Sequence, residues 1–312
     1  MNNKKNPRKI FHKKLYEDIY PRLKEFENLR LRELKRCKNI DRNGIVCILF
    51  WFIISFFTLP LIGDFVFFGF FIIAIIWLIK KAMISMGFTK NIKSKIMPVL
   101  CEAFGNLQWL STSRFDDSIV ECSNLVKNFN RIHHDDYFCG TYFDVPIEIA
   151  EVTYRRVTGS GKNRRSRTLF KGVIVKLDIN KNFSGNTVIL PDTLLHCQRG
   201  GYLKHTELED VEFEKKFDVY SSDPTEARYL ITPTFMERLK QVQTAFNAKA
   251  VSCAFYENKL ILGLHTNKNL FDIATINKSL FDEAQYFTMF NEIYSILKLI
   301  KHFKLDTKIK AE

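Results

Sequence analysis

The sequence lacks the cysteine pattern of a disulfide-rich or zinc-binding domain. Its seven cysteines are an odd number and are scattered singly, with no CxxC motif. Disulfide frameworks and structural zinc sites both need paired or clustered cysteines. The sequence also has no GxSxG or HExxH motif, no internal repeat and no low-complexity tract. These absences exclude the disulfide-stapled, zinc-finger and repeat classes, and they indicate a reducing compartment.

Acidic residues are too few to balance the basic ones. The 312 residues include 47 Lys and Arg but only 34 Asp and Glu, which gives a net charge of +13. Residues 1–43 hold 14 bases and 6 acids, a net charge of +8, whereas residues 95–312 hold 29 bases and 27 acids, a net charge of +2. Because the excess flanks one long apolar run, it indicates membrane topology, and we expect no nucleic-acid partner.

The apolar run extends from Ile45 to Ile79 and contains one charged residue, Asp64. A helix needs about 20 residues to cross about 30 Å of hydrocarbon, so the run is too long for one span and just long enough for two. Pro60 and Gly63 favour a turn near its middle, where Asp64 would be solvated or would cap a helix. The sequence therefore predicts a transmembrane hairpin of two helices over residues 44–80. A buried helical pair in a soluble core is the alternative.

Loop charge predicts the orientation of this hairpin. Basic residues are concentrated before it and in residues 80–95, which contain no acid, while the turn contains no base. The positive-inside rule then places both flanks in the cytoplasm. We expect a two-span protein of the bacterial inner (cytoplasmic) membrane, integral to the lipid bilayer, with cytoplasmic N and C termini.

Periodicity divides the remainder into helical and strand-rich segments. Residues 1–43 are predicted as a basic amphipathic helix, which either packs against the stalk or lies on the membrane surface. Residues 81–135 are predicted as a juxtamembrane helical stalk. Residues 136–312 are predicted as a mixed α+β cytoplasmic domain, with an antiparallel sheet, helices and a long C-terminal helix from Ile276 to Phe303. The expected strands are Tyr137 to Phe143, Pro146 to Tyr154, Thr168 to Ile179, Asn186 to Leu190, Val251 to Tyr256 and Lys259 to His265.

A basic loop between two of these strands is the candidate anionic-ligand or lipid contact. Its six bases are Arg155, Arg156, Lys162, Arg164, Arg165 and Arg167. Such a cluster can bind lipid headgroups or an acidic protein, although a solvated hairpin tip has the same composition. Gly159 to Lys162 superficially resembles a phosphate loop, but Arg156 and Asn163 stand where a P-loop needs Gly and Ser or Thr.

Metal-binding and catalytic patterns are weak. His133 to Asp136 has ligand residue types, but adjacent side chains of an extended segment point to opposite faces and do not converge. Cys139 and the pair His196 and Cys197 have no visible orienting partner. We therefore predict no catalytic residues, no metal and no cofactor.

The segment from Phe213 to Leu239 (FEKKFDVYSSDPTEARYLITPTFMERL) resembles the signature of an uncharacterised bacterial membrane-protein family, domain of unknown function 3137. Weaker blocks lie at Asp136 to Tyr142, Phe170 to Val173 and Thr187 to Pro191, and the resemblance covers about residues 95–305. It implies a membrane hairpin followed by this domain and supplies no catalytic residues. Some family members carry a galanin label that nothing in this sequence supports.

The signature segment also has a physical interpretation. Phe213, Phe217 and Val219 alternate as in a strand, and Phe235, Met236 and Leu239 would form the inward face of a helix. Asp223-Pro224 and Thr232-Pro233 are helix start signals, and Glu226 at N3 completes a capping-box pattern. Arg228, Glu237 and Arg238 are the polar residues to test, with buried ion pairing as their simplest role.

These features favour a non-enzymatic interaction or scaffolding module at the cytoplasmic face of the membrane. Its partner would be another membrane or cytoplasmic protein, or a second copy of the chain. A membrane-associated enzyme acting on a lipid or nucleotide is one alternative, and an oligomeric transport component is another.

Overall fold

The computed structural model describes residues 7–179, 182–192 and 202–303, and it divides into two compact units. Unit 1 comprises Met1–Leu100 and Asp272–Phe287, and unit 2 comprises Cys101–Phe271 and Thr288–Glu312. Each unit is therefore built from two separate stretches of chain. His196 and Cys197 lie outside the described residues.

The first part of unit 1 is helical. Helix α1 (Pro7–Lys14) leads through a π-helical turn, Leu15–Ile19, into α2 (Tyr20–Cys101). The π turn directly precedes Pro21, which has no backbone N–H and whose ring crowds the carbonyl four residues earlier. Widening the preceding turn shifts the hydrogen bonds, and the Tyr20 N–H bonds to the Leu15 carbonyl. The chain thus accommodates the proline without leaving the helix.

Side-chain contacts join residues in the first and second halves of α2, so the path of the chain reverses between them. Lys81 Nζ lies 3.0 Å from the Asp41 carboxylate, and Trp77 Nε1 donates to the same carboxylate at 3.2 Å. In a straight helix at 1.5 Å per residue, residues 41 and 81 would be about 60 Å apart. The Lys95 ammonium likewise lies 5.4 Å from the centre of the Phe26 ring. These pairs are centred on residues 60–61, next to Pro60.

Asp272–Phe287 forms a strap on the helices of unit 1. The Glu27 carboxylate accepts hydrogen bonds from the Leu280 N–H at 2.9 Å and from Ser279 Oγ at 3.3 Å. Arg30 donates to Glu27 at 2.7 Å and to the Ile276 carbonyl at 2.9 Å. Because Arg30 is buried, its charge needs both the carboxylate and the carbonyl as partners.

Unit 2 contains one antiparallel sheet of nine strands. The strands are β1 (Gln108–Leu110), β2 (Arg131–Tyr142), β3 (Val145–Thr158), β4 (Arg165–Asp178), β5 (Thr187–Pro191), β6 (Lys204–His205), β7 (Phe217–Ser221), β8 (Ala250–Tyr256) and β9 (Lys259–His265). Their order across the sheet is β1-β2-β3-β4-β9-β8-β5-β7-β6. The fold is α+β, as the sequence predicts.

Among the described residues after α2, the helices are α3 (Ser118–Cys122), α4 (Val211–Glu214), α5 (Pro224–Leu230), α6 (Pro233–Ala245) and the C-terminal α7 (Glu283–His302). The cap signals act as predicted, because Asp223 accepts from the N–H groups of Thr225 and Glu226, and Thr232 accepts from that of Phe235. Phe235, Met236 and Leu239 are buried, as predicted for an inward face. Phe213, however, lies in α4 and not in a strand.

The central part of the sheet is covered on both faces, so the consecutive residues Val173, Ile174 and Val175 of β4 are all fully buried. One core contains Phe115, Ile119 and Val120 packed with sheet residues such as Tyr154 and Ile261. On α6, Phe235 contacts the ring of Phe255 at 5.2 Å and that of Phe303 at 5.0 Å. The interior is therefore two apolar layers separated by the sheet.

The sheet unit begins earlier in the chain than the boundary at residue 136 suggests. Helix α2 ends at Cys101, and Gln108–Leu110 then pairs with β2. Residues 101–135 belong to unit 2 and include only the short helix α3 and a 3-10 turn as helical elements. The helical part of the expected stalk therefore stops about 20 residues after Lys81.

Candidate functional site

The six bases of the candidate anion contact lie on a two-stranded ribbon formed by the ends of β3 and β4. All six side chains are exposed. Strand β2 pairs with β3 only as far as Arg155, and β9 pairs with β4 only from Gly172 onward. Among the described residues, no further strand flanks the segments 156–158 and 165–167. These segments and the turn between them thus project from the sheet as a basic ribbon.

Strand register sorts these bases onto two faces. Arg156 lies directly opposite Arg167, and Arg165 lies opposite Thr158. Directly opposed residues share a face, and residues two apart along a strand share it too. One face therefore carries Arg156, Arg165 and Arg167, which we call the triple-arginine face. The other face carries Arg155, which lies opposite Thr168 on β4 and Arg131 on β2.

The ribbon has a defined base and a tight turn. The Asn130 side chain accepts from the Val157 N–H at 2.8 Å and donates to the Val157 carbonyl at 2.7 Å. Its backbone N–H also bonds to the Arg155 carbonyl at 3.0 Å. Gly161–Asn163 closes the tip as a 3-10 turn, with Gly159 and Gly161 at positive φ. The positions of the arginines along the ribbon are thereby fixed.

A partly buried hydrogen-bond chain links three residues that no sequence motif connects. Tyr154 donates to Asp117 at 2.5 Å, and Asp117 lies 2.9 Å from His134 Nε2. Burial, and then the hydrogen bond to Asp117, raises the pKa of Tyr154 well above its ordinary value of 10. The hydroxyl consequently stays protonated and donates, so the chain fastens the start of α3 to β2 and β3.

The remaining residues of the His133 to Asp136 cluster point apart, as predicted. His133 and Asp135 are exposed, whereas Asp136 is buried and accepts from Trp109 Nε1 at 2.8 Å. A β-bulge between His134 and Tyr137 separates the two carboxylates. Across the described residues, no three His, Cys, Asp or Glu side chains are grouped closely enough to hold a metal ion.

Two of the three signature polar residues, Arg228 and Glu237, are at the surface and not in buried ion pairs. Arg228 is exposed and reaches the Glu207 carbonyl at 3.4 Å. Glu237 is exposed and forms an ion pair with Lys240, which also lies 3.5 Å from Asp210. Arg238 is half-buried and has an interaction partner. The structure therefore brings none of the three together into one site.

Glu226 has a different role from the one its capping-box position predicts. Its carboxylate does not close back onto its own helix but accepts from the N–H groups of Ser184 and Gly185, at 2.9 and 2.7 Å. The Asp223 N–H bonds instead to Ser221 Oγ at 3.1 Å. Because a carboxylate bound by two N–H groups is a strong charge-assisted contact, Glu226 ties α5 to the segment before β5.

Two of the cavities in unit 2 are lined by described residues. One of about 280 Å³ is lined by residues of α7 and the end of β9, including Thr266, Lys268 and Glu292. Glu292 is already engaged by the Phe271 N–H at 2.7 Å. Another of about 380 Å³ adjoins the signature segment. Its lining residues are Phe183, Ser184, Gly185, Asn186, Tyr202, Ser222, Tyr256 and Glu257.

The polar groups of the second cavity serve mainly as structural partners. Asn186 donates to the Cys122 carbonyl at 3.1 Å and to Tyr202 Oη at 3.2 Å, and its own N–H bonds to Ser222 Oγ at 2.9 Å. Burial raises the pKa of Tyr256, and so, to a lesser degree, does its hydrogen bond with Glu257.

The apolar residues of unit 1 form an exposed surface. Ile45, Phe50 and Phe52 on one side of the reversal are exposed, and so are Phe71 and Ile79 on the other. The structure describes no side chain for Asp64. In the part of the chain that the structure describes, one helical stretch, Phe71–Phe104, which includes the end of α2, is long and apolar enough to cross a membrane. Only 6% of its most apolar part is buried. A buried helical pair in a soluble core is not supported.

Comparison with known proteins agrees with the signature segment. No curated protein matches the chain. The crystal structure of the mycobacterial trehalose monomycolate transport factor A, TtfA, is similar at 8% sequence identity and a TM-score of 0.34. The match covers 63% of this chain and 88% of the TtfA chain. A family described as "Protein of unknown function (DUF3137)" matches residues 168–305, downstream of the Asp136 to Tyr142 block. The resemblance to this family is thus confirmed over residues 168–305 of the chain.

Proposed function

We propose that this protein is a two-span membrane protein whose α+β domain is a non-enzymatic interaction or scaffolding module at the cytoplasmic face of the bacterial inner membrane. The exposed apolar surface of unit 1 carries this proposal. Phe52 is 72% exposed and Phe71 is 62% exposed. So many exposed apolar side chains in residues 45–53 and 71–79 are more than soluble proteins tolerate, and lipid is the solvent that suits them.

The reversal of α2 supports two spans instead of one. An added Cβ on Gly44 would lie 3.0 Å from the Trp77 ring, and one on Gly69 would overlap the Trp51 ring. A tryptophan thus packs on a glycine at two levels, which lets the two helical segments approach closely, as is common in membranes. The chain between Gly44 and Trp77 then crosses and returns, with its turn near Pro60.

Charged and amphipathic side chains mark one boundary of the apolar surface. Lys81 pairs with Asp41, and Trp77 donates to the same carboxylate. Trp and Lys are typical of the membrane interface, where an indole N–H and an ammonium meet water and headgroups. We place the cytoplasmic edge of the bilayer at this Asp41, Trp77 and Lys81 group, which keeps residues 1–43 and unit 2 on the same side.

The interaction role is supported by what unit 2 presents to solvent. Its basic ribbon projects from the sheet, and the Glu292 carboxylate in one cavity is held by a structural hydrogen bond. Such a surface suits binding without a catalysed reaction. The partner would be another membrane or cytoplasmic protein, or a second copy of the chain. Mild crosslinking of the full chain in native membranes, followed by detergent extraction and pull-down, should recover one reproducible partner, and recovery of none would contradict the interaction role.

Membrane integration and orientation have their own test. The full chain should stay in the membrane pellet after alkaline carbonate extraction. A cytoplasm-active reporter should be active when fused at either terminus, and an export-dependent reporter should be inactive at both. Activity of the export-dependent reporter at Glu312 would refute the orientation, and release by carbonate would refute the anchor.

A further inference from the structure

We propose that the triple-arginine face of the β3–β4 ribbon binds the phosphate groups of anionic phospholipids. This proposal rests on the proposed membrane anchor and names a ligand for the domain that the anchor holds. It starts from the register of the strands, which places Arg156, Arg165 and Arg167 on the same face of a projecting ribbon.

The arrangement is destabilising in the absence of a counter-anion. Arg156 and Arg167 are directly opposed, and like charges at directly opposed positions repel. Residues 155–168 contain no acid. No acid among the described residues forms an ion pair with Arg156, Arg165 or Arg167 either. Three unneutralised guanidinium groups on one face therefore favour an external anion.

The residue type indicates the chemistry of that anion. Five of the six bases on the ribbon are arginine, whose planar fork of donors matches phosphate oxygens in bidentate geometry. A diffuse attraction to negative charge would be served equally well by lysine. Because Asn130 fixes the base of the ribbon, the guanidinium groups are presented on a defined backbone, which lowers the ordering cost of binding.

Phospholipid is favoured over nucleic acid and over an acidic protein. The tip from Val157 to Lys162 has no aromatic side chain on which a base could stack, and it has no large apolar side chain apart from Val157 for a protein pocket. The anchor keeps unit 2 tethered to a bilayer, so headgroup phosphates have a high effective concentration around it. The polar tip suits binding at headgroup level without insertion.

The test compares the full chain in nanodiscs of phosphatidylcholine alone with the full chain in nanodiscs that also contain phosphatidylglycerol. Hydrogen exchange of the backbone amides in 156–167 is the readout. Three bases at an anionic surface together change occupancy on the order of a hundredfold. We therefore expect exchange at the tip to slow about tenfold or more in the anionic discs only.

Two charge-matched variants separate a specific face from general attraction. Arg156→Gln, Arg165→Gln and Arg167→Gln together should abolish the slowing. Arg131→Gln, Arg155→Gln and Lys162→Gln together remove the same charge from the opposite face and the tip, and the slowing should persist.

Equal exchange in the two kinds of disc would overturn the lipid proposal and leave the anchor intact. Equal loss in the two triple variants would overturn the triple-arginine face as the site. Slowing by added duplex DNA or an acidic protein in phosphatidylcholine discs, without an effect of phosphatidylglycerol, would assign the ribbon to that other ligand. Failure of the chain to enter either disc would overturn the anchor and this proposal together.

Discussion

Two glycines in the weaker blocks of the resemblance have a steric explanation at the residue scale. Gly172 in β4 has φ +150°, and a Cβ there would overlap the Leu264 carbonyl oxygen of β9. Gly140 in β2 has φ +151°, and a Cβ there would overlap the Asn106 carbonyl oxygen. In both cases the obstacle is backbone, which cannot rotate away. Sequence alone identifies such glycines as a pattern, but the reason appears only when the strands are paired.

Gly172→Ala should accordingly lower the free energy of unfolding of unit 2 by about 3 kcal/mol or more, because a methyl group must displace a neighbouring strand. Gly161→Ala is the control, since Gly161 is also at positive φ, +54°, but has nothing within 4 Å of its added Cβ. That substitution should cost only about 1 kcal/mol. Urea unfolding followed by far-UV circular dichroism measures both, and equal losses would contradict the steric explanation.

Tyr154 and Asp117 should be energetically coupled. Tyr154 is fully buried, so Tyr154→Phe removes a donor and leaves the Asp117 carboxylate less satisfied, at a cost of about 1 to 2 kcal/mol. Asp117→Asn should cost a similar amount. The double variant should lose clearly less than the sum of the single losses, with a coupling energy of about 1 kcal/mol. Additive losses in a chemical-denaturation cycle would show that the hydroxyl and carboxylate do not interact.

At the scale of elements, the strap of unit 1 is held by one carboxylate. Glu27 accepts from Arg30 and from the Leu280 N–H, and the Arg30 hydrogen bond is the main reason that the pKa of Glu27 is lowered from its ordinary value of 4.5. A lowered pKa in the folded state stabilises the fold above the ordinary value. That stabilisation is lost as the pH falls below about 4.5 toward the folded-state pKa.

Acidification should therefore loosen Asp272–Phe287 before the rest of unit 1. Hydrogen exchange of the amides in 272–282, corrected for the intrinsic pH dependence, should become faster below about pH 4.5 in the native chain. In Glu27→Gln it should be fast already at neutral pH and less dependent on pH. Glu33→Gln is a matched control, because Glu33 pairs with Arg36 at the same i,i+3 spacing but on the exposed surface. A Glu33→Gln chain that behaves like Glu27→Gln would contradict the role of the strap.

The predictability of elements from sequence follows the length and regularity of their patterns. Strands β8 and β9 end at the predicted residues, since each is a short, mainly apolar run and the two flank the tight turn at Glu257 and Asn258. Strand β1 has three residues and β6 has two, too short to show any period, and neither was predicted. The bulge in β2 was also missed, because only its pairing with β3 reveals the extra residue.

The candidate sites also differ in how far the sequence predicts them. The bases of the ribbon are consecutive enough in sequence to be recognised, but their sorting onto two faces requires the register. His134 lies 17 positions after Asp117, and Tyr154 lies 37 positions after it. No local sequence spacing connects the three residues. Pairwise contacts made by the fold are invisible to composition, whereas charge runs and apolar runs are not.

At the scale of the whole molecule, charge and apolar surface are concentrated in the same part of the chain. Residues 1–43 have a net charge of +8, and residues 95–312 have a net charge of only +2. The exposed apolar side chains of unit 1 lie between the two basic flanks. A nucleic-acid-binding domain would instead carry its excess on the folded surface. The distribution thus links the composition of the chain to its topology.

The basic flank after the apolar surface should help to hold unit 2 in the cytoplasm. Replacing Lys80, Lys81 and Lys90 with glutamine removes positive charge within 20 residues of the proposed second span, where the positive-inside rule acts. Residues 1–43 would still retain the N-terminus, but the second span would lose its anchor. We expect an export-dependent reporter fused at Glu312 to become several-fold more active.

Lys215, Lys216 and Lys268 are also exposed, and their joint replacement with glutamine removes equal charge far from the span. That control should leave the reporter unchanged, because distant charges do not set orientation, and a similar response of the two variants would contradict a topological role for the flank.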